Sequence, residues 1–113
     1  MATKGRFLEI LVKFIERTLS SDEVTITSPE RFYSSGKQIG EIDITIRGKF
    51  GSSIIFVGIE CRDRPSDGPQ GIDWIELIAG KKSLLKVDKM VAVSTTGFRT
   101  EAVEAAKQFR SHP

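Results

Sequence analysis

Apolar residues recur in this chain with two periods, and the switching between them sets out its elements. Over residues 5–19, Phe7, Leu11, Phe14 and Ile15 fall at i, i+4, i+7 and i+8, with Ile10 beside them. That is the one-face spacing of an amphipathic helix. Ser20, Ser21 and Asp22 end it. Residues 24–27 alternate as a short strand, and residues 28–37, with Pro29 and Ser34-Ser35-Gly36, read as a loop or wide hairpin connection. Residues 39–50 give the clearest alternation, Ile42, Ile44 and Ile46 facing one way and Glu41, Asp43, Thr45 and Arg47 the other. Gly51-Ser52-Ser53 turns the chain back, so the next strand is expected to be antiparallel.

That next run, residues 54–62, is apolar at both parities, the pattern of a central strand covered on both sides. Phe56, Gly58, Glu60 and Arg62 share one face, and Gly58 leaves room for a close approach beside Glu60. After a loop at residues 65–71, residues 72–86 return to the helical period, with Trp74, Leu77, Ile78, Lys81 and Leu85 on one stripe. Met90-Val91-Ala92-Val93 lies in a buried strand at residues 89–94, parallel to its neighbour because a helix precedes it. Residues 94–98 turn into a last helix, with Thr100 as N-cap, Glu101 and Glu104 near its positive end, and Ala102, Ala105, Ala106 and Phe109 on its buried face. The order is αβββαβα, an α/β fold with a mixed sheet of about four strands flanked by helices.

A chain of 113 residues accommodates a single domain, residues 1–113, with one core. Its 39% hydrophobic and 28% charged residues are those of a globular protein rather than a disordered one. A net charge of +2 permits a nucleic-acid partner without requiring one. Cys61 is the only cysteine, which excludes an intrachain disulfide and fits a reducing compartment. No stretch approaches a membrane span and no signal-peptide pattern is present, so the expected location is cytoplasmic.

Two acids interrupt the apolar strands: Asp43, and Glu60 at the end of Ile54-Ile55-Phe56-Val57-Gly58-Ile59. Desolvating a carboxylate at a strand end costs several kcal/mol unless a cation compensates it. A divalent ion shared by two such carboxylates is a compensation that also performs chemistry. The plainer readings are a solvated strand face for Asp43 and an ion pair of Glu60 with Arg47 or Arg62. Arg62 and Arg64 also suit strand-edge gatekeeping, and Lys81, Lys82, Lys86 and Lys89 a solvated helix face. Trp74 and Cys61 read as core residues. His112, the one histidine, is too near the chain end to serve a catalytic cysteine.

Glu41-Ile42-Asp43 followed by Glu60-Cys61-Arg62 resembles the PD-(D/E)xK signature of the restriction endonuclease-like superfamily, within the same order of elements. Residues 91–102, Val-Ala-Val-Ser-Thr-Thr-Gly-Phe-Arg-Thr-Glu-Ala, are similar to the last strand and helix of Mrr-type restriction enzymes. Ile42 stands where that signature has proline, and Arg62 where it has lysine. The resemblance implies a metal-dependent nuclease hydrolysing DNA phosphodiesters, with Asp43, Glu60 and the Cys61 carbonyl as ligands of Mg2+, or Mn2+ in its place. Arg62 would hold a phosphate oxygen; a guanidinium is no general base. Lys81 or Lys82 would supply a displaced ammonium, and Gln70 a polar contact to water or substrate. Glu16, or Glu9 as its alternative, would be the acid of the first helix. Arg64, Lys81 and Lys82 would meet the nucleic acid. A homodimer matches the two-fold symmetry of duplex DNA. The rival expectation is a nuclease-fold module that binds nucleic acid or serves in assembly without turnover, or one domain of a longer restriction or repair protein.

Overall fold

A computed structural model describes residues 3–19 and 23–110. The expected Ser20–Asp22 helix stop and His112 lie outside the described residues. Helix α1 spans Thr3–Thr18, followed by β1 (Val24–Thr27), β2 (Glu30–Ser34), β3 (Lys37–Ile42), β4 (Ile44–Phe50) and β5 (Ser53–Arg62). After a single 3-10 turn at Pro65–Asp67 come α2 (Ile72–Leu85), β6 (Lys89–Ser94) and α3 (Thr100–Arg110).

The fold is α/β. A four-stranded mixed sheet runs β1-β4-β5-β6, antiparallel except for the β5–β6 pair, which α2 connects in parallel as its crossover. Alternation sorts the sheet's side chains between two helical layers. Ile44, Ile59 and Cys61 pack with Ile15 of α1 on one face. On the other, Ile42 joins Leu85 and Val87, with Phe32, Phe56 and Met90 against them.

The structure departs from the pattern reading in informative places. Residues 28–37 are not a loop: β2 and β3 form a separate two-stranded hairpin. Its two-residue connection puts Ser35 at φ 52° and Gly36 at φ 80°, the positive pair that matches strand twist. The single strand expected over residues 39–50 is two, β3 and β4, broken at Asp43. The break reverses the parity, so Ile42 packs toward α2 while Ile44 packs toward α1. The start of β5 is not covered on both sides, since Ile54 and Ile55 are exposed. In α2, Ile75 rather than Leu77 joins the buried stripe, and in α3 Ala106 and Phe109 are exposed beside a fully buried Ala102.

Gly58 fits the expectation of close approach, but protein fills the space. A Cβ there would lie 2.6 Å from Met90 Sδ and 3.3 Å from Ile42 Cδ1.

Candidate active site

The β4–β5 register pairs Ile44 with Ile59 and Thr45 with Gly58. Continued by one residue, it sets Asp43 opposite Glu60. At that rung the two side chains take over the hydrogen bonding of the backbone ladder. The Asp43 amide donates to Glu60 Oε2 at 2.9 Å, and the Cys61 amide donates to Asp43 Oδ2 at 2.8 Å. Each acid therefore grips the other's strand. With 8% and 7% of their surface exposed, both are buried, which overturns the solvated-face reading of Asp43. The Ser28 hydroxyl donates to the Asp43 carbonyl at 2.7 Å and holds the break from the other side.

Lys81 closes the cluster. Its ammonium donates to Glu60 Oε1 and, at 2.8 Å, to the Glu41 carbonyl. Glu60's ion-pair partner is thus Lys81, in the third turn of α2, and not Arg47 or Arg62. Arg47 is committed elsewhere, to both oxygens of Glu30 at 2.6 and 2.9 Å.

Arg62 follows on the same strand. Its NH1 donates to Gln70 Oε1 at 2.9 Å, and its guanidinium carbon lies 4.7 Å from the Trp74 ring centroid. Trp74 in turn stacks on Phe98, with centroids 6.0 Å apart and planes 7° from parallel. Gln70 is buried and fixed by its backbone, which accepts from the Arg99 amide and donates to the Gly97 carbonyl. Burial lowers the Arg62 guanidinium from its usual range; the Arg64 charge acts the same way, and Asp67 and Glu60 oppose it. It remains a cation. Trp74 is a core residue, as its helical stripe suggests, and also the platform beneath this cation.

The remaining expected residues fall outside the cluster. Glu16 is exposed and lines a shallow cleft with Glu9, Ser28 and Pro29, next to the turn that holds Asp43 but not bonded to the carboxylates. Glu9 pairs with Lys13 at 3.9 Å. Arg64 pairs with Asp67 at 3.7 Å on the surface. Lys82 faces a groove of about 520 Å³ between α2, β6 and α3, lined by Ile75, Met90 and Phe109, and not the acids. Of the two lysines offered for a displaced ammonium, Lys81 is the one at the site. Sequence reasoning missed Ser28 and the Trp74 platform. The spacing of Trp74 on α2 gave no sign that Arg62 would lie across its ring.

Among the described residues no group of three or more His, Cys, Asp or Glu side chains could hold a metal ion. Two carboxylates and a carbonyl are a sparse set of hard oxygen donors, the kind that suits a magnesium ion completed by water and substrate phosphate. The Cys61 carbonyl is turned the right way. In an extended strand one residue's amide and carbonyl point to the same neighbour. The Cys61 amide points to Asp43, whereas the next carbonyl, that of Arg62, accepts from Thr95 on the β6 side. In chemical type these oxygen donors suit such an ion; Glu60 Oε1 and Oε2 and Asp43 Oδ2 each already accept a hydrogen bond.

The site defines a class of arrangement: two interlocked acids at a strand break, with one cation, Lys81, brought in from α2 and a second, Arg62, on the strand of Glu60. No family model matches the chain, and no curated protein matches it. In fold it is similar to a crystal structure of a protein of unknown function, AF1548, with a TM-score of 0.65 at 15% identity over 94% of this chain. The chain spans 60% of the length of that protein. At this identity the likeness is one of fold. No described helix is long and apolar enough to cross a membrane.

Proposed function

We propose that the chain is a metal-dependent nuclease domain of the PD-(D/E)xK type, hydrolysing phosphodiester bonds of DNA. The observation that carries this reading is the mutual grip of Asp43 and Glu60 across one rung, with the Lys81 ammonium on Glu60. Asp43, Glu60 and the Cys61 carbonyl would hold Mg2+ or Mn2+, which when bound polarises the scissile phosphate and lowers the pKa of its water. The chain's own groups do the positioning. The Asp43 and Cys61 amides aim the carboxylate oxygens before substrate arrives. Lys81 fixes Glu60 and presents N–H donors at the rim. Arg62, its plane set by Gln70 and Trp74, offers its remaining N–H groups to a phosphate oxygen. Gln70 thus acts through Arg62. The reading also carries a reducing, cytoplasmic setting for the buried Cys61 thiol, and a homodimer when both strands of a duplex are cut.

Incubating the protein with plasmid and oligonucleotide DNA in magnesium or manganese, beside Asp43→Ala and Glu60→Ala, tests this. Cleavage by the wild type that both variants abolish is the expected result. Equal products from all three would remove the assignment. The second reading, a binding or assembly module without turnover, is favoured by Arg62 in the signature's lysine position. It takes over if the chain binds DNA in EDTA and cuts in neither metal.

A further inference from the structure

We propose that the β2–β3 hairpin is a ribbon that enters a groove of duplex DNA, an inference that rests on DNA being the substrate.

The hairpin is fixed at its base and bare at its tip. At the base, Glu30 holds Arg47 through both oxygens, Phe32 lies 6.1 Å from Phe56, and Gly40 fits so closely under Leu85 that a Cβ would come within 3.1 Å of it. Arg31 adds an exposed pair with Glu41 at 3.1 Å. Every residue from 33 to 39 is exposed, Tyr33 at 60%. A two-stranded ribbon is at best marginally stable alone, so anchors gathered at one end leave the other end presented and uncovered.

The exposed end has the chemistry of a nucleic-acid partner. The exposed residues 33–39 carry one cation, Lys37, and no acid, while the acids of the hairpin, Glu30 and Glu41, lie at its base. Arg31 shares its charge with Glu41, so Lys37, at the turn, is the cation placed for a phosphate. Strand alternation turns Phe32 inward and Tyr33 outward, and Tyr33 pairs with Gln38 across the ribbon. A carboxamide matches the donor–acceptor edge of adenine, and a phenol donates or accepts. The register shift between Phe32 and Tyr33 is a bulge; bulges raise twist and re-aim side chains. A major groove about 12 Å wide admits a two-stranded ribbon. Single strands are instead held in aromatic-lined channels, and this ribbon forms no channel.

The ribbon is also tied to the acids. β3 runs directly into Asp43, and Lys81, bonded to Glu60, holds the Glu41 carbonyl. From Gly36 to Asp43 is seven residues of extended chain, about 23 Å at 3.3 Å per residue. That corresponds to about seven base pairs at 3.4 Å, the expected offset between ribbon contact and the scissile phosphate.

The test is fluorescence anisotropy in EDTA with a labelled duplex of about 20 base pairs and its isolated strand. It compares wild type with Tyr33→Ala/Gln38→Ala and with Lys37→Glu, and is run beside the cleavage assay. The expected result is duplex affinity at least about 10-fold weaker in both variants, with single-strand affinity and thermal unfolding unchanged. Lys37→Ala should reduce the salt slope of duplex binding by about one. Duplex affinity equal to wild type in both variants overturns the inference. So does absence of duplex binding by the wild type, or a variant that turns a dimer into a monomer by sedimentation, which would make the ribbon a self-association element. Wild-type cleavage with tip-independent binding sinks the ribbon alone; tip-dependent binding without cleavage sinks the nuclease reading alone.

Discussion

Replacing Lys81 with methionine separates an ion pair that organises the site from one that merely decorates it. Lys81→Met keeps most of the stem and removes the ammonium. Glu60, its side chain 9% exposed, then loses the donor to Oε1 and keeps only the Asp43 amide on Oε2. Removing one partner of a fully buried pair costs about 3–5 kcal/mol, and of an exposed pair about 0–1 kcal/mol. The Lys81 side chain is 24% exposed, so an intermediate cost of about 2–3 kcal/mol is expected. At roughly 4 °C per kcal/mol for a domain of this size, the melting midpoint falls by about 8–12 °C. Circular dichroism melts in EDTA measure this directly. The double variant Glu60→Gln/Lys81→Met, which no longer buries an unpaired charge, should melt above Lys81→Met alone. Manganese should raise the Lys81→Met midpoint, since a ligand that binds only the folded state stabilises it. A Lys81→Met midpoint within about 2 °C of wild type, with strictly additive effects in the double variant, would refute the reasoning. The pair would then be a surface contact, and Lys81 would not be part of the site.

The Glu30 carboxyl is held below its usual range first by the Arg47 hydrogen bond, with burial opposing and Thr45 assisting. Its pKa is lower folded than unfolded, so its stabilisation is complete above the unfolded value near 4.5 and is lost as pH falls through the folded one. Glu30→Gln should flatten the acid limb of stability measured by urea titration between pH 6 and pH 3. Gly58→Ala drives a Cβ to 2.6 Å from Met90 Sδ and should cost about 1–3 kcal/mol in denaturant unfolding; in a Met90→Ala background most of that cost should vanish. Trp74→Leu should weaken DNA binding several-fold with Arg62 present and have no effect on binding in an Arg62→Ala background, as a double-mutant cycle in anisotropy would read. Equal effects in both backgrounds would make Trp74 a core residue and nothing more.

The helices were legible from their period, β5 and β6 from continuous apolar runs, and the parallel β5–β6 pair from the helix between them. The hairpin was hidden for a local reason. Its strands are short, and the bulge beside Tyr33 leaves little alternation to read. Ser35-Gly36 between Arg31-Phe32-Tyr33 and Gln38-Ile39 was the one signal available, a turn pair of the type that favours positive φ at both positions. The break at Asp43 was hidden for the opposite reason. Glu41-Ile42-Asp43-Ile44-Thr45-Ile46 alternates without a fault, so period alone joined two strands that belong to different sheets. Likewise Leu77 and Ile75 both lie near one helical stripe, and only the position of β6 and α3 decides which is covered. The two acids were found from cost: a carboxylate placed among isoleucines needs a reason. Their partner was not recoverable in the same way. Lys81 lies 21 residues beyond Glu60; its place on the apolar stripe of α2 sets it apart from Lys82, which lines the groove between α2, β6 and α3, but no spacing in the sequence ties that stripe to Glu60.

The strand break, the hairpin and the acid pair are three aspects of one event at Asp43. If the alternation through Ile46 had continued as one strand, Ile42 and Ile44 would share a face, and the rung opposite Glu60 would be closed by backbone hydrogen bonds. Instead the Glu60 carboxylate takes the Asp43 amide and the Asp43 carboxylate takes the Cys61 amide. Side chains therefore replace main chain at the rung where β3 leaves the sheet to form the ribbon. The same substitution brings the oxygens of both carboxylates to that rung. Gly58, one rung away opposite Thr45, leaves no opening, because Met90 and Ile42 fill the place of its missing side chain. The change of parity at the break turns Ile42 from the α1 side to Leu85 and Val87, so its packing there and the acid pair depend on the same break. On this argument Ile42→Ser should disturb more than the core: by loosening the start of the break it should weaken manganese binding measured by calorimetry, while Ile46→Ser, on the unbroken side and against α1, should lower stability and leave metal affinity intact.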